Sequence, residues 1–308
     1  MRISTSWAQQ LSLNSILDQQ TRLSKTQMQL SSGKKILTPS DDPSAAARVV
    51  DLNQNINQTE QYQRNIDAVR QRLSLQDGLL QNSIDILQRV NELGIQGLND
   101  TNSPSDRNAI ATEMEGLKDQ LAAIANTRNA NGEYIFAGFK SDTQPFAQIP
   151  PPGGGYSYGG DGNQRQLQIG TDRLVADGNP GDSVFGVPTG AAPPAGPSPG
   201  IDNIFEAIDK FVMDLKSNAP ESSSLDDISN SMDRIINVQS SLGVRLNVLD
   251  QQENMNADHV LNLKSVLSET EDVDYAEAIS QFSFQSTALQ AAQQAFVQVQ
   301  KLSLFNLL

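Results

Sequence analysis

The chain is 308 residues long, with a formal charge of −14, no cysteine, one histidine and 5 % aromatic residues. That charge repels a phosphate backbone and no Lys/Arg cluster offsets it, which excludes nucleic acid as a partner. Without cysteine there are no disulfides, thiolate nucleophiles or Cys-metal sites, and no stretch approaches the roughly 18 apolar residues that cross a bilayer, so no membrane insertion is expected. The length predicts two or three compact units, and abundant Gln, Asn, Leu and Ser with few aromatics predicts an extended helical core rather than one large round one.

At the start, MRISTSWAQQLSLNSIL carries Gln and Asn where a cleaved signal places its apolar block, so export is expected to proceed without one. Ile16, Leu23 and Leu30 fall seven apart, with polar Gln20 and Gln27 at the intervening seam positions, and Leu13 joins the same candidate stripe. One apolar residue per heptad, at roughly 2 kcal/mol per buried side chain, does not offset about 1–2 kcal/mol of backbone entropy per ordered residue. This segment must borrow a surface from elsewhere.

Residues 30–43, LSSGKKILTPSDDP, punctuate the helical sequence. Gly33 suits the left-handed position past a helix end, where Lys34 and Lys35 face the negative end of the dipole. Pro39 biases Thr38 to extended backbone, and Asp42 is placed as N-cap with Pro43 at the first helical position. Capping accounts for Asp42 better than a metal or acid–base pair with Asp41, because no further ligands cluster nearby.

Downstream, Leu52, Ile56, Thr59, Gln63, Ile66, Val69, Leu73, Gln76, Leu80, Ile84 and Leu87 follow at intervals of three or four, a coiled-coil seam. A helix from Pro43 to about Asn99 predicts a rod about 85 Å long. Ser103 and Pro104 restart a helix, with Ile110, Met114, Leu117, Leu121 and Ile124 continuing the spacing to about Asn131. The short connection predicts an antiparallel pair.

From Gly132 the texture turns to Gly, Pro and aromatics. Alternation in YSYGGDGNQRQLQIG, residues 156–170, predicts a hairpin about Gly-Asp-Gly, and GAAPPAGPSPG, residues 190–200, predicts a semi-stiff linker or an irregular loop. Helical spacing resumes at Ile204, Ile208, Phe211 and Leu215. Leu225, Ile228, Met232, Ile235, Gln239, Leu242, Leu246, Leu249, Glu253, Asn256, Val260, Leu263 and Leu267 then mark a second rod that pairs with the first.

After an acidic break at residues 269–274, Ile279, Phe282, Ser286, Leu289, Ala292, Phe296 and Val299 form one stripe, followed by the apolar tip LSLFNLL. The expected fold is mainly α: long antiparallel coiled-coil rods from both chain ends with a small β-rich insertion in the middle. Its expected segments are an N-terminal assembly helix (1–40), the two halves of the rod (41–132 and 201–268), the β-rich insertion with its linker (133–200) and a C-terminal assembly helix (269–308). The candidate assembly seam is Leu13, Ile16, Leu23 and Leu30 at one end, and Ile279, Phe282, Leu289, Ala292, Phe296, Val299, Leu302, Leu304 and Phe305 at the other. Two readings follow for the end helices: they pair within one chain, or they become ordered when subunits stack, independently of the self-sufficient rod.

The residues that carry a family resemblance are now in view. LSSGKKILTPSDDPSAAARVV (30–50) resembles the LSSG...I...DD.A block of the bacterial flagellin family, RNIDAVRQRLSLQDGLLQNSIDILQRVNEL (64–93) its second helix, and SSLGVRLNVLD (240–250) its C-terminal LGA..NR block. Pro43 after the Asp pair, NGEYIFAGFKSDTQPF (131–146), YGGDGNQRQLQI (158–169), GDSVF (181–185) and the ending KLSLFNLL resemble the branch that joins hook to filament. Val248 departs from the family pattern, which often has Arg after Asn, and the Pro/Gly-rich stretch at 188–200 has no match.

The resemblance implies a non-enzymatic structural subunit, without cofactor, that forms a homo-oligomeric ring between hook-associated protein 1 and the first flagellin layer. It also implies an extracellular place in the flagellum, reached through the flagellar type III export channel, with an export chaperone holding the C-terminal helix beforehand. The rival readings are flagellin itself, the filament subunit, and a coiled-coil adhesin or tail fibre, which predicts a parallel trimeric seam. An enzyme has few parts available: His259 lies on a rod as a solvated face residue, one histidine cannot make an H-E-x-x-H zinc site, and GGGYSYGG lacks the Lys-Ser/Thr and helix of a phosphate loop.

Overall fold

The computed structural model describes residues 2–149, 155–188 and 201–305. In chain order the elements are α1 (Arg2–Ser32), α2 (Pro43–Gly97), α3 (Pro104–Ala125), β1 (Phe146–Gln148), β2 (Tyr156–Tyr158), β3 (Gln166–Gly170), β4 (Arg173–Ala176), α4 (Gly181–Phe185), α5 (Ile204–Lys216), α6 (Ser222–Glu271) and α7 (Tyr275–Phe305). The mainly helical fold with a small central β insertion is the one expected from the sequence. Two compact units are present, residues 1–59 with 258–308, and residues 60–257.

The second unit holds the large hydrophobic core. Ile66, Val69, Leu73, Leu80 and Leu87 of α2 are fully buried, as are Ile228, Ile235, Leu242 and Leu249 of α6, which recur every seventh residue. Each such side chain contributes about 1.5–3 kcal/mol by leaving water. Flanking polar pairs fix the direction: Arg70 meets Asp250 at 2.8 Å and also Glu253, Gln239 donates to Asp77 at 3.2 Å, and Asn91 donates to Ser229 at 3.3 Å. As α2 numbers rise α6 numbers fall, so the helices run antiparallel.

α3 begins where predicted. Ser103 and Asp106 form a reciprocal capping box, with Pro104 in the first turn. The helix ends at Ala125 rather than near Asn131, because the Asn126 side chain takes the Phe146 amide N–H at 2.9 Å and donates to the Phe146 carbonyl at 2.8 Å. That exchange draws the chain into β1. α5, capped by Asn203, packs on α3 with Ile204, Ile208, Phe211 and Leu215 buried, the stripe expected from the sequence.

The predicted hairpin about Gly-Asp-Gly is corrected. β2 pairs antiparallel with β1, placing Tyr158 opposite Phe146, and β3 pairs with β4, placing Leu167 opposite Val175. Residues 159–165, which include Gly160-Asp161-Gly162, connect the two ribbons. The reason is aromatic packing: the Phe146 ring lies 5.2 Å from Tyr158, 5.2 Å from Phe205 and 5.6 Å from Phe185, while the Tyr158 hydroxyl donates to the Phe136 carbonyl at 3.0 Å. Those partners outweigh local alternation. Gly138 has φ +67°, and a Cβ there would lie 2.1 Å from the Asp161 carboxylate, so only glycine fits.

Candidate assembly interface

The first unit is built on α1 and α7, which pack against each other. Their order is antiparallel. Val273 N–H donates to the Gly33 carbonyl at 2.9 Å, Thr26 Oγ1 donates to Gln285 Oε1 at 3.0 Å, and further along Leu11 and Ile16 share a groove with Ala292 and Phe296. The first of the two readings for the end helices, pairing within one chain, is therefore realised.

Both helices end as their caps dictate. Gly33 takes φ +73° and its N–H returns to the Gln29 carbonyl at 2.9 Å, the left-handed stop predicted for that position. Asp42 Oδ1 accepts from the Ser44 and Ala45 amides at 3.1 and 2.9 Å, the predicted N-cap of α2. Asp274 does the same for α7, accepting from Ala276 and Glu277 at 2.9 and 3.2 Å.

The two connecting turns are laced together. Lys34 pairs with Asp272 as a β-bridge, Lys35 N–H donates to the Glu271 carbonyl at 2.6 Å, and Lys34 Nζ reaches the Glu271 carboxylate at 2.5 Å. Lys34 therefore neutralises a carboxylate on α6 as well as lying beyond the end of α1. On the other side of α1, Lys25 Nζ lies 2.6 Å from Asp41 Oδ1, and Asp41 Oδ2 accepts the Leu37 and Thr38 amides at 3.2 and 3.1 Å. The Lys25 hydrogen bond, then the Thr38 amide, lowers the Asp41 carboxyl to about 2.

Along α1 the less exposed positions are Ile16, Gln19, Leu23, Thr26, Gln29 and Leu30, with Thr26 buried, and all but Gln29 alternate three and four. Gln20 and Gln27, the expected polar seam positions, are exposed, and the seam instead passes through Gln19 and Thr26. The physical reason is the hydrogen bond from Thr26 to Gln285, which lets polar groups face each other between the helices. The three-four alternation was available in the sequence, but three polar candidates at neighbouring positions obscured it.

On α7 the stripe runs through Ala278, Phe282, Gln285, Leu289, Ala292 and Phe296, with Ala278 buried and the others half-buried. Ile279, assigned to the seam from spacing, is 54 % exposed because the smaller Ala278 takes the inner position. Leu13 is likewise 47 % exposed, whereas Ile16, Leu23 and Leu30 are half-buried. Val299, Leu302, Leu304 and Phe305 lie outside the residues whose side chains the structure describes.

What the pair leaves uncovered is as informative as what it buries. Trp7 is 68 % and Phe284 74 % exposed, and Leu11, Leu17, Met28 and Val297 are exposed as well. A second groove, lined by Leu17, Thr21, Met28, Leu37 and Thr38, runs between α1 and the loop that follows it. Among the described residues no group of His, Cys, Asp or Glu is placed to hold a metal ion, and no helix is long and apolar enough to cross a membrane. His259 is exposed on α6.

One unit contains a pair of terminal helices, and the other a helical core with a small β-rich insertion. The sequence profile of the bacterial flagellin N-terminal helical region matches residues 3–141, and that of the C-terminal helical region matches residues 225–308. The chain belongs to the bacterial flagellin family. Within it, the chain is 34 % identical over 321 residues to flagellar hook-associated protein 3 of Escherichia coli (strain K12), covering 100 % of this chain and 99 % of that protein. It is 32 % identical over 320 residues to flagellar hook-associated protein 3 of Salmonella typhimurium, with the same coverage of 100 % and 99 %. The crystal structure of the flagellar junction protein FlgL from Legionella pneumophila has the same fold, with a TM-score of 0.58 at 24 % identity, covering 74 % of this chain and 100 % of that one.

Proposed function

We propose that this chain is a structural subunit of the bacterial flagellum that joins hook to filament, as a homo-oligomeric ring between hook-associated protein 1 and flagellin. The observation that carries this reading is the end-to-end match to two proteins named flagellar hook-associated protein 3. The physical support is the uncovered apolar surface of α1 and α7, which neighbouring subunits would bury. Assembly uses the stripe of Leu13, Ile16, Leu23 and Leu30 with Ile279, Phe282, Leu289, Ala292 and Phe296, continued by Val299, Leu302, Leu304 and Phe305; its half-buried members already face the α1–α7 pair, and the exposed Trp7, Leu11, Leu17, Met28, Phe284 and Val297 extend the surface offered to a neighbour. In this reading residues 1–40 and 269–308 are the assembly elements, 41–132 and 201–268 the two halves of the rod, and 133–200 the insertion with its linker. The subunit acts by packing and performs no catalysis. Before assembly an export chaperone shields α7, and the chain leaves through the flagellar type III channel to its extracellular place.

Fluorescently labelled protein is expected at the base of each filament, and a strain lacking the gene is expected to secrete unassembled flagellin. Label distributed along the whole filament, or normal filaments in the deletion strain, overturns the reading. Purified chain added to filament seeds separates the rival: long self-grown filaments identify a filament subunit, whereas growth that stops at a cap supports a junction subunit.

A further inference from the structure

Asn131 precedes Gly132, and no other asparagine in the chain is followed by glycine. The pair matters chemically because a glycine carries no side chain to shield its backbone nitrogen from the preceding asparagine carboxamide. Both residues are exposed, and a Cβ built on Gly132 would meet nothing within 4 Å. No burial protects the pair.

A side chain closes the turn that holds them. Arg128 and Tyr134 form a β-bridge at its base, Asn129 N–H donates to the Glu133 carbonyl at 2.8 Å, and Gly132 N–H donates to the Asn129 carbonyl at 3.0 Å, with Gly132 at φ +83°. Asn129 Oδ1 accepts the Asn131 and Glu133 amides at 2.9 and 3.0 Å, while its Nδ2 donates to Glu133 Oε2 at 2.9 Å. Arg72 of α2 holds the same carboxylate oxygen at 3.1 Å. The Asn129 side chain thus ties the turn together, and the closed turn keeps the Gly132 N–H occupied.

We propose that Asn131 is a site of spontaneous deamidation, gated by opening of the 129–133 turn, with Asn129 as the residue that holds the gate shut. In the opened turn the Gly132 nitrogen, having given its proton to hydroxide, attacks Asn131 Cγ: the N–Cγ bond forms, the Cγ–Nδ2 bond breaks, and ammonia leaves after taking a proton from water. Water then opens the cyclic imide at either carbonyl, yielding aspartate or isoaspartate with no oxidation or reduction. While the turn is shut, the hydrogen bond to the Asn129 carbonyl withholds both the proton and the rotation of the Gly132 amide. The observed rate is therefore the intrinsic rate multiplied by the open fraction. The site lies outside the assembly surface and does not depend on the junction role.

The test incubates the full chain in mildly alkaline buffer and follows every asparagine by peptide mapping, with isoaspartate identified by isoaspartyl methyltransferase labelling. Asn131 is expected to convert before any other asparagine, and more slowly in native buffer than in urea. Asn129→Ala should raise both its native conversion rate and the exchange rate of the Gly132 amide by the same factor, about tenfold. In urea the variant and the parental chain should convert equally, because no turn is left to open. Earlier conversion at another asparagine, equal parental rates in native buffer and urea, or an unchanged native rate in Asn129→Ala overturns the proposal. If Asn129→Ala fails to fold, the parental rates in the two solvents and the order of conversion decide it.

Discussion

The carbonyl of Gly33, just past α1, accepts the amide N–H of Val273, just before α7, at 2.9 Å. Two positions 240 residues apart thereby share one hydrogen bond, and the neighbouring Lys34–Glu271 ion pair and the Lys35–Glu271 hydrogen bond reinforce it. The terminal helices leave their turns from a common clasp. Ordering one therefore favours ordering the other.

Gly33 is the weakest point at which to disturb that clasp. Its φ is +73°, and an added Cβ would lie 2.9 Å from the Tyr275 hydroxyl. Gly33→Ala is expected to cost about 1–3 kcal/mol of local stability. Hydrogen exchange should accelerate across α1 and α7 while residues 60–257 stay protected; unchanged exchange in the end helices would refute the clasp.

Acid should open the turn after α1 specifically. The Asp41 carboxyl is lowered from 3.8 to about 2, and a depressed carboxylate stabilises the folded form above its unfolded value, losing that contribution as pH falls from about 4 towards 2. Protection of the Leu37 and Thr38 amides, corrected for intrinsic exchange, should therefore fall within that window and be steady at neutral pH. In Asp41→Asn the same protection should be low and indifferent to pH there. A wild-type profile that is flat between pH 5 and 2 would count against the assignment.

In the isolated chain, residues 1–40 and about 270–308 are expected to be cut first by a broad protease. Half-buried stripes hold these helices, whereas the second unit has fully buried layers of Leu and Ile. Mass spectrometry of the early fragments reads the result. Ends that resist as long as the body would show that α1 and α7 need no neighbouring copy.

Charge placed in the stripe should separate assembly from folding. Leu289→Asp and Phe296→Asp put a carboxylate where apolar contact is required, at a cost of several kcal/mol once the site is dry in the assembly. Far-UV ellipticity and the main unfolding transition are expected to stay at the parental values while junction formation fails. Normal motility in both variants would remove these residues from the interface.

A matched pair of truncations gauges the two units. Leu80→Ala, fully buried on α2, should lower global stability by about 2–5 kcal/mol, whereas Leu13→Ala, already 47 % exposed on α1, should change it by less than about 0.5 kcal/mol. Denaturant unfolding measures both. Equal losses would mean that α1 belongs to the same cooperative core.

Helix placement, caps and the main seam were determined by the sequence itself, since each depends on near neighbours. Ser103 with Asp106, Asp42 with Pro43, Gly33, and the sevenfold recurrence from Ile228 to Leu249 all act within a few residues of chain. Other features waited on tertiary structure. The choice between Gln19 and Gln20 at the α1 seam depends on how Thr26 meets Gln285, and the partner of β2 depends on which aromatic rings Phe146 and Tyr158 can reach. Gln76 shows the same division within one residue. Its spacing put it on the seam, but its burial without penalty rests on both hydrogen bonds to Asn179, 103 residues away. A polar group carries no periodic mark of its partner, so only the folded chain supplies it.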